Sequence, residues 1–451
     1  MQKRELFDVS PQVPNNFYAR GAHGMATSYD RAAVAGSDVS RLRVSDVGPH
    51  GAWVKHLPSE HFPPADDMSR QAEGVFVLCG CAYLSASFWP ETIAAAHRAL
   101  DTHGVGSYDS APLSGETAHH EALKNELLKL YYPDGGGAAF LTVSASMSNI
   151  TTIPMLVGKD DLIFIDSEGH MTLSEGSALS QAKVERFPHN DLDELERRLI
   201  KARADDPHGT RRVLVITDGI FSMSGHVCDL PAMVALRDQY GFLLLVDEAH
   251  ALGALGPRGR GTADHWGMDA SCIDIVTGTL AKAIGAQGGY MVCSAALARQ
   301  ASLEYATNRV FSSGVPASIA AAATEVLRQI NAAPKAQNTF SEMYRRQRRN
   351  ASILREYLRR LPAIGIGSNP DEAPGTVQRL MLGDEEVLFE VQARLYRRRV
   401  YVMGLVYPVV PRGKEQIRVT VMPSIDEDDM HACGRAIVEV CSAVMAECAS
   451  R

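Results

Sequence analysis

Three residues near the middle of the chain carry groups that could do chemistry together. Asp247 and His250 follow the apolar run at residues 242–246, and Lys282 follows a second apolar run at residues 274–278. A carboxylate can pair with a protonated pyridine nitrogen, an imidazole can hydrogen-bond a ring oxygen, and an amine can react with an aldehyde. The three residue types and their spacing therefore indicate a site for pyridoxal 5'-phosphate (PLP).

Each of these residues also has an ordinary structural interpretation. An aspartate at the end of a strand often caps a helix, and a lysine is usually a solvated surface charge. The order Asp247, His250, Thr279 and Lys282, together with the glycines around it, favours the cofactor site over these alternatives.

The segments that must position these groups alternate between two patterns. Short apolar runs predict buried strands, and helical segments separate them. The runs cover residues 138–143, 161–165, 212–217, 242–246 and 274–278. Strands joined through helices predict a mostly parallel sheet, in which ligands bind beyond the carboxyl ends of the strands. The polar residues at that edge are Ser144, Asp166, Asp218, Asp247 and Thr279.

The same pattern predicts an α/β fold class and divides the chain into three regions. Residues 1–74 are rich in Gly, Pro, Asp, Ser and His and predict an N-terminal arm or extension. Residues 75–334 predict a large domain around the mostly parallel sheet. Residues 335–451 combine helical segments with two further strands and predict a smaller C-terminal α+β domain.

Composition and charge argue against several other classes of protein. The chain is 45% hydrophobic and 22% charged, as in ordinary globular proteins, and its net charge of −8 gives no basic excess for nucleic acid. The eight cysteines show no metal-ligand spacing, which predicts a reduced cytoplasmic protein without a metal site. No apolar run is long enough to cross a bilayer, and the first residues lack the apolar core of a signal peptide.

Several motifs, taken in their order along the chain, resemble the α-oxoamine synthase family of fold-type I PLP enzymes. The resemblance covers residues 79–445. It is carried by residues 83–84, 114–115, 144–149, 166–170, 187–191, 221–223, 247–261 and 278–290. The family fold is a large PLP-binding domain followed by a smaller C-terminal domain, which agrees with the pattern of strands and helices.

The resemblance implies a role for each residue around the pyridine ring. Lys282 matches the family's Schiff-base lysine, and Asp247 matches the partner of the pyridinium nitrogen. His250 matches the hydrogen-bond partner of the ring oxygen. His170 matches the histidine that stacks on the ring, so that Lys282, His170 and Asp247 are the implied catalytic residues. His189 lies in another family-like segment, and it suits packing or turn formation better than catalysis.

The resemblance also implies residues for the phosphate. Backbone N–H groups at a helix start, together with hydroxyls, bind phosphate well. Ala145 and Ser146 stand where the family has a glycine and an aromatic residue, and Thr279 precedes the lysine by three positions. Ser222 matches a further cofactor contact. Each hydroxyl could instead be a helix cap.

A segment further along resembles the part of the family that reaches the neighbouring subunit's phosphate. It contains Ser312 and Ser313. The resemblance therefore implies a homodimer with active sites at the interface, and closed two-fold dimers are the commonest oligomers.

Arg418 matches the family arginine that holds the substrate carboxylate, for which a planar guanidinium is well suited. An exposed strand arginine is the alternative interpretation. The chain departs from the family pattern at Ala111, where an arginine is common, at Ser146 and at residues 422–425. Most of these departures concern the substrate, so they leave the amino acid and the acyl chain open and favour a specialised product.

The implied reaction is the condensation of an amino acid with an acyl thioester, either acyl-CoA or an acyl-carrier protein. Loss of CO₂ then gives an α-amino ketone. An aminotransferase, an aldolase-type lyase and a non-catalytic partner subunit remain as alternatives, although retention of Lys282 argues against the last. Residues 247–250 also resemble a helicase metal box, but the GxxxxGK[ST] loop that such an enzyme needs is missing. The glycines at 253–261 lack the GxGxxG spacing of dinucleotide-binding folds.

Overall fold

The computed structural model describes residues 42–48, 51–56, 73–333, 335–361, 373–407 and 409–450. Most of the predicted N-terminal arm lies outside these residues. Within it, β1 (Leu42–Gly48) and β2 (Gly51–His56) form an antiparallel pair. Strand β2 continues the antiparallel arrangement with β3 (Glu73–Val77).

The sheet that carries the site has seven strands among the described residues. They are β4 (Gly137–Thr142), β5 (Leu162–Asp166), β6 (Lys183–Phe187), β7 (Val213–Asp218), β8 (Leu243–Asp247), β9 (Ile275–Thr279) and β10 (Gly289–Ser294). Their order is β4-β10-β9-β8-β7-β5-β6. Strands β5 to β9 are parallel, and β10 is antiparallel to both of its neighbours. The predicted α/β fold with a mostly parallel sheet is confirmed.

The five predicted strands of this sheet are present, each displaced by one residue. Asp166, Asp218 and Asp247 are therefore the last residues of β5, β7 and β8. Four of the predictions ended one residue early, because the final side chain is polar although its backbone still pairs, and the prediction for β4 ended one residue late. Strands β6 and β10 were not predicted. Exposed and charged residues dominate β6 at the sheet edge, which weakens its apolar signal.

Helices of the large domain cover both faces of this sheet or pack at its ends. They are α1 (Pro90–His103), α2 (Ala118–Tyr131), α3 (Ala145–Leu156), α4 (Met171–Leu179), α5 (Leu192–Asp205), α6 (Leu230–Tyr240), α7 (Thr262–Trp266), α8 (Ala295–Gln300), α9 (Thr307–Val310) and α10 (Ala317–Ala332). Helix α1 begins at Pro90, and the helical spacing of Ile93, Ala96 and Leu100 predicts that these residues form its inner face, which is wrong. Ile93 and Leu100 are exposed, and the small residues Ala95 and Ala99 are buried, since α1 packs against the alanine-rich α10.

The smaller C-terminal unit is α+β, as predicted. Its elements are α11 (Thr339–Leu358), β11 (Val377–Met381), α12 (Glu385–Arg397), β12 (Val400–Tyr401), β13 (Met403–Leu405), β14 (Gln416–Thr420) and α13 (Glu427–Ala449). Strands β11, β14 and β13 form an antiparallel sheet in that order. Apolar side chains of α11, α12 and α13 pack with those of the sheet in one cluster.

One strand from the start of the predicted large domain joins this smaller unit. Strand β3 pairs in parallel with β12, and Leu78, just after β3, is fully buried in the apolar cluster of the smaller unit. The domain bounds 1–74, 75–334 and 335–451 stay a prediction. The pairing of β3 with β12 joins the two units through backbone hydrogen bonds.

Among the described residues, none of the helices combines the length and the apolar character that crossing a membrane requires. No group of three or more His, Cys, Asp or Glu side chains in that part of the chain is arranged to hold a metal ion.

Candidate active site

Asp247 is fixed at the end of β8 by two hydrogen bonds. Its side chain is 3% exposed. Oδ1 accepts the N–H of Ala249 at 2.9 Å, and Oδ2 accepts Nδ2 of Asn149, on α3, at 2.7 Å. Neutral donors on both oxygens hold the carboxylate in one orientation without cancelling its charge. The charge therefore stays available to a cationic group inside the site.

Lys282 lies shortly after β9, within electrostatic range of that carboxylate. Burial lowers the pKa of its ammonium group, while the negative charge of Asp247 opposes the change. Within the described part of the chain, the ammonium makes no hydrogen bond to another residue. A lysine with a lowered pKa gives up its proton more readily and can react with an aldehyde.

His250 is a neutral imidazole whose orientation is set by Tyr83. The ring is buried, and its Nδ1 lies 2.6 Å from the hydroxyl of Tyr83. Burial holds the pKa of His250 well below its usual range, and the charges of Lys282 and Arg418 act in the same direction. Burial also raises the pKa of Tyr83, so its hydroxyl keeps its proton and donates to Nδ1. The proton of the imidazole then lies on Nε2, which can donate to an acceptor in the site.

His170 caps α4 and shares a polar network with Asp247. Its Nδ1 lies 2.9 Å from Oγ1 of Thr172, and that oxygen accepts Nδ2 of Asn149 at 3.0 Å. Because the same Nδ2 donates to Asp247, one amide positions both residues. Burial lowers the pKa of His170, against the opposing charge of Asp247. The imidazole is therefore neutral near pH 7.

Asp218 is a buried carboxyl beside these groups. It ends β7 directly opposite Asp247 in the ladder, and its Oδ2 accepts the backbone N–H of His170 at 3.0 Å. Burial raises its pKa, and the neighbouring charge of Asp247 adds to the effect. Asp218 was predicted to lie at the carboxyl edge of the sheet, but no role was assigned to it. Asn149 and Tyr83 had no assigned role either, since a hydrogen bond between distant segments leaves no local pattern.

The predicted phosphate residues lie at the ends of α3 and β9. Ala145 and Ser146 form the first turn of α3, where N–H groups have no acceptor within the helix. Gly289 in β10 approaches so closely that an added Cβ would collide with the nitrogen of Ala145. Thr279 is buried at the end of β9, and its Oγ1 accepts the N–H of Ala281 at 3.1 Å. A helix start beside a threonine is a suitable anion site.

Arg418 reaches the site from β14 of the smaller unit. One of its terminal nitrogens donates to the carbonyl oxygen of Ser222 at 3.4 Å, which is a long contact. Among the described residues, its buried Nε has no hydrogen-bond acceptor. The charge of Arg418 influences the pKa values of both Lys282 and His250, so the guanidinium lies near them. A buried donor in this position suits a substrate carboxylate. Ser222 is buried, and its predicted contact with the cofactor stays a prediction.

Ser312 and Ser313 are not brought together with the other predicted residues within one chain. They follow α9 in a segment whose Phe311 is 84% exposed. Ser313 forms an isolated antiparallel bridge with Ser110, and Oγ of Ser312 donates to the carbonyl of Ser313 at 3.3 Å. Their surface position agrees with a role toward a second subunit and leaves that role a prediction.

The residues present fit PLP. The buried carboxylate of Asp247 suits a pyridinium nitrogen, and the neutral His250 offers a donor for the ring oxygen. Lys282 offers an amine with a lowered pKa. The first turn of α3 offers N–H groups for the phosphate.

Comparison with known proteins places the chain among such enzymes. Residues 75–437 match the family described as aminotransferase class I and II. The 8-amino-7-oxononanoate synthase of Geobacter sulfurreducens is 36% identical over 371 residues, which are 82% of this chain and 90% of that protein. The enzyme of the same name from Coprothermobacter proteolyticus is 32% identical over 85% of this chain and 88% of its own.

Solved structures agree on the fold. The serine palmitoyltransferase of Sphingomonas wittichii superimposes with a TM-score of 0.78 at 25% identity, covering 92% of this chain and 96% of that one. A serine palmitoyltransferase of S. paucimobilis with a bound PLP-myriocin aldimine gives 0.80 at 24% identity, covering 96% and 100%. With a family match over most of its length and a relative 36% identical, the chain belongs to the α-oxoamine synthases, PLP-dependent enzymes of the aminotransferase class I and II family.

Proposed function

We propose that the protein condenses an amino acid with an acyl thioester to give an α-amino ketone. The observation that carries this proposal is the relationship to 8-amino-7-oxononanoate synthase over 82% of the chain. In the reaction, the α-carbon of the amino acid bonds to the acyl carbon as the carbon–sulfur bond breaks and the thiol leaves. The carboxyl group then leaves as CO₂, and a proton takes its place.

The large domain supplies the residues that control the cofactor. When bound, PLP withdraws electrons from the α-carbon of the amino acid. Asp247 keeps the pyridine nitrogen protonated, because its carboxylate is buried and held by two neutral donors. His250 donates from Nε2 to the ring oxygen, since Tyr83 occupies Nδ1. His170 fixes the plane of the pyridine ring. The Asn149 amide holds His170, through Thr172, in a fixed position relative to Asp247.

Lys282 moves the proton in the proposed mechanism. Its lowered pKa favours the free amine, which takes the proton of the α-carbon. The same amine returns a proton after CO₂ has left. Asp247 and Asp218 lie within electrostatic range and stabilise the ammonium form that arises between the two steps.

Arg418 holds the carboxylate of the amino acid until the acyl group has been added. Its buried Nε lacks an acceptor among the described residues and shares one edge of the planar group with Nη2, whereas Nη1 donates to the carbonyl of Ser222. Two parallel hydrogen bonds would fix the direction of the carboxylate relative to the cofactor. The α-proton and the carboxyl group are thereby presented to different faces of the site.

We infer that the enzyme is a homodimer. Large apolar side chains are exposed on the two segments joined by the bridge from Ser110 to Ser313, and these residues are Val105, Tyr108, Leu113 and Phe311. An apolar patch of this kind suits a second copy of the chain. In that arrangement Ser312 and Ser313 would reach the neighbour's phosphate. Sedimentation at assay concentration tests the inference, and Phe311→Glu should shift the protein toward monomer with weaker PLP binding.

The acyl donor is acyl-CoA or an acyl-carrier protein, and we place the reaction in the cytoplasm. All eight cysteines are free, which agrees with a reducing compartment. The amino acid and the acyl chain are found by supplying each of the twenty amino acids with thioesters from acetyl to palmitoyl.

The decisive experiment follows the carboxyl carbon. Amino acid labelled in that carbon should release labelled CO₂ only when thioester is present, and free thiol should appear in equal amount. Lys282→Ala is the control for cofactor chemistry. Transfer of the amino group to a keto acid, with the label retained and no thiol formed, would assign an aminotransferase instead.

A further inference from the structure

Four side chains form a hydrogen-bonded row between the large domain and the smaller unit. Nδ1 of His189 lies 3.0 Å from Oδ1 of Asp166, and Nε2 of His189 lies 2.9 Å from Nδ1 of His226. Nε2 of His226 in turn lies 3.4 Å from a terminal nitrogen of Arg379. Asp166, His189 and His226 belong to the large domain, and Arg379 belongs to β11. We call these four residues the histidine relay.

The ends of the relay fix where its protons lie. An arginine can only donate, so Nε2 of His226 accepts from Arg379. Nδ1 of His226 then carries the proton and donates to Nε2 of His189. Nδ1 of His189 donates in the same way to the carboxylate of Asp166. The row carries a positive charge at its Arg379 end and a negative charge at its Asp166 end.

The Asp166 end of the relay is rigid. Asp166 is fully buried, and its Oδ1 and Oδ2 also accept the N–H groups of Glu168 and Asn190 at 2.8 and 2.9 Å. The turn that begins at Asp166 leads directly to His170. The relay therefore starts from the part of the large domain that positions the ring-stacking histidine.

The Arg379 end lies beside the residue proposed to bind the substrate carboxylate. Arg379 on β11 and Arg418 on β14 are direct partners in the antiparallel ladder. Residues paired in this way project from the same face of the sheet with Cβ atoms about 5 Å apart, and like charges there repel each other. Without a restraint, the two guanidiniums would compete for the same acceptors.

One loop of the large domain contacts both the Arg379 and the Arg418 guanidinium. The bridge between Ile220 and Val227 closes this loop, which gives the carbonyl of Ser222 to Arg418 and the imidazole of His226 to Arg379. The amide of Gln416, two residues before Arg418 on β14, donates to the carbonyl of Met223 at 2.9 Å and holds the loop against the sheet. Each guanidinium thus has its own acceptor.

We propose that the histidine relay positions Arg418 by drawing the Arg379 guanidinium away from it, which leaves Arg418 for the carboxylate of the amino acid. The four residues are positioning residues and do not touch the reacting atoms. The inference deepens the proposed function and rests on it in one respect, the assignment of the carboxylate to Arg418.

The relay should make amino-acid binding sensitive to acid. The charged groups that face the two imidazoles among the described residues are Asp166 and Arg379 at its ends and Glu168, whose Oε2 lies 3.6 Å from Nε2 of His189. The ring of Phe221 meets His189 edge-on at 4.3 Å. A proton added at Nε2 of His226 would face the Arg379 guanidinium, so acid breaks that contact and weakens the hold of the relay on Arg379.

The test compares His226→Ala with His226→Gln in the holoenzyme. The probe is whichever of the twenty amino acids shifts the cofactor absorbance most, and the readouts are its Kd, its KM and kcat. His226→Ala should raise Kd and KM about tenfold while kcat changes less than about twofold. His226→Gln keeps an acceptor that cannot be protonated, so it should retain affinity and lose the weakening in acid. Cofactor content and thermal unfolding confirm that both variants fold.

A double variant makes the result specific to the relay. Adding Arg379→Gln to His226→Ala removes the competing charge, so it should restore most of the lost affinity, whereas two structural defects would add. Additive losses, or a fall in kcat at unchanged KM, would overturn the proposal. If labelled CO₂ is never released yet the Kd values follow this pattern, the relay stands and the proposed reaction falls.

Discussion

The cofactor side of the site and its substrate side are built to different degrees of rigidity. Asp247, His250 and His170 each share hydrogen bonds of 2.6–2.9 Å with buried neighbours in the large domain. Arg418 crosses from the smaller unit, and within the part of the chain that the structure describes it makes one hydrogen bond, at 3.4 Å. The residues proposed to hold the cofactor are therefore preorganised within one domain. The proposed contact between Arg418 and the substrate carboxylate depends on the packing of the smaller unit against the large domain.

The departures from the family pattern follow the same division. Met422, shortly after Arg418, gives its carbonyl to Asn350, and its sulfur lies against Gly80, in the segment that leads to Tyr83. Ala111 is partly exposed and follows the buried Ser110. Ser146, at the phosphate end of α3, is the departure on the cofactor side. We therefore expect the preferred substrate to differ from that of the relatives more readily than the cofactor chemistry does.

The largest effect should come from Lys282, which serves both sides. Lys282→Ala removes the amine that takes and returns the substrate proton, and turnover should fall more than about a thousandfold. Labelled CO₂ release measures the loss. Borohydride should attach PLP covalently to Lys282 in the wild type and to nothing in the variant. A variant that keeps even a tenth of the activity would assign the proton transfer to another residue.

The next test addresses the cofactor side alone. Asp247→Asn keeps the shape and one acceptor but removes the charge that holds the pyridine nitrogen protonated, so kcat should fall about a hundredfold. Asn149→Ala is the matched variant, because it leaves the charge and frees its orientation. It should cost less, and its effect should shrink in the Asp247→Asn background to the part that acts through His170. Equal losses for both would mean that orientation matters more than charge.

Arg418→Lys tests the substrate side. A lysine keeps the charge and loses the paired donors, so KM for the amino acid should rise about tenfold to a hundredfold. The change in kcat should be smaller, since no residue of the cofactor side has moved. Steady-state kinetics with varied amino acid at saturating thioester gives both constants. An unchanged KM would remove Arg418 from the carboxylate site.

The same division describes what could be predicted from the sequence. Asp247, His250 and Lys282 were found because each follows an apolar strand, and strand ends meet at one edge of a parallel sheet. Local periodicity carries that information. Tyr83, Asn149 and Asp218 received no role, because their contacts join segments 167, 98 and 48 residues apart. Nothing in the neighbouring residues records such a contact.

Burial also misled the prediction in places. The face of α1 containing Ile93 and Leu100 was expected to be buried, yet the alanines on the adjacent face are inside. Close packing against α10 favours small side chains over large ones, which an apolar pattern does not reveal. His189 was expected to serve packing, and its place between Asp166 and His226 came from the tertiary structure.

Tyr83→Phe makes a smaller change on the cofactor side. The variant keeps the ring and removes the hydroxyl that donates to Nδ1 of His250. Without that bond the imidazole can carry its proton on either nitrogen, so kcat should fall about fivefold to tenfold. The cofactor absorbance should shift as well, while KM for the amino acid changes little. A larger change in KM than in kcat would place Tyr83 on the substrate side.

The smallest effect on turnover should come from Glu248, where the consequence is in stability. Glu248 is 1% exposed beside Asp247, and burial raises its pKa from 4.5 to about 7. A carboxyl with a raised folded-state pKa stabilises the fold below its unfolded pKa, and that contribution is lost as pH rises through the folded value. Relative to Glu248→Gln, the wild type should therefore lose about 1 kcal/mol of unfolding free energy per pH unit. The window runs from pH 4.5 to about 7.

Urea unfolding of the two proteins across that window measures the difference. Glutamine keeps an acceptor for the N–H of Thr262, which Glu248 binds at 3.1–3.2 Å, so the local structure should persist. Activity near neutral pH should change less than about threefold, because Asp247 and its two donors are untouched. Parallel stability curves for both proteins would show that Glu248 is ionised throughout. The buried environment would then stabilise two adjacent carboxylates, and the rigidity of the cofactor side would have to come from charges in addition to hydrogen bonds.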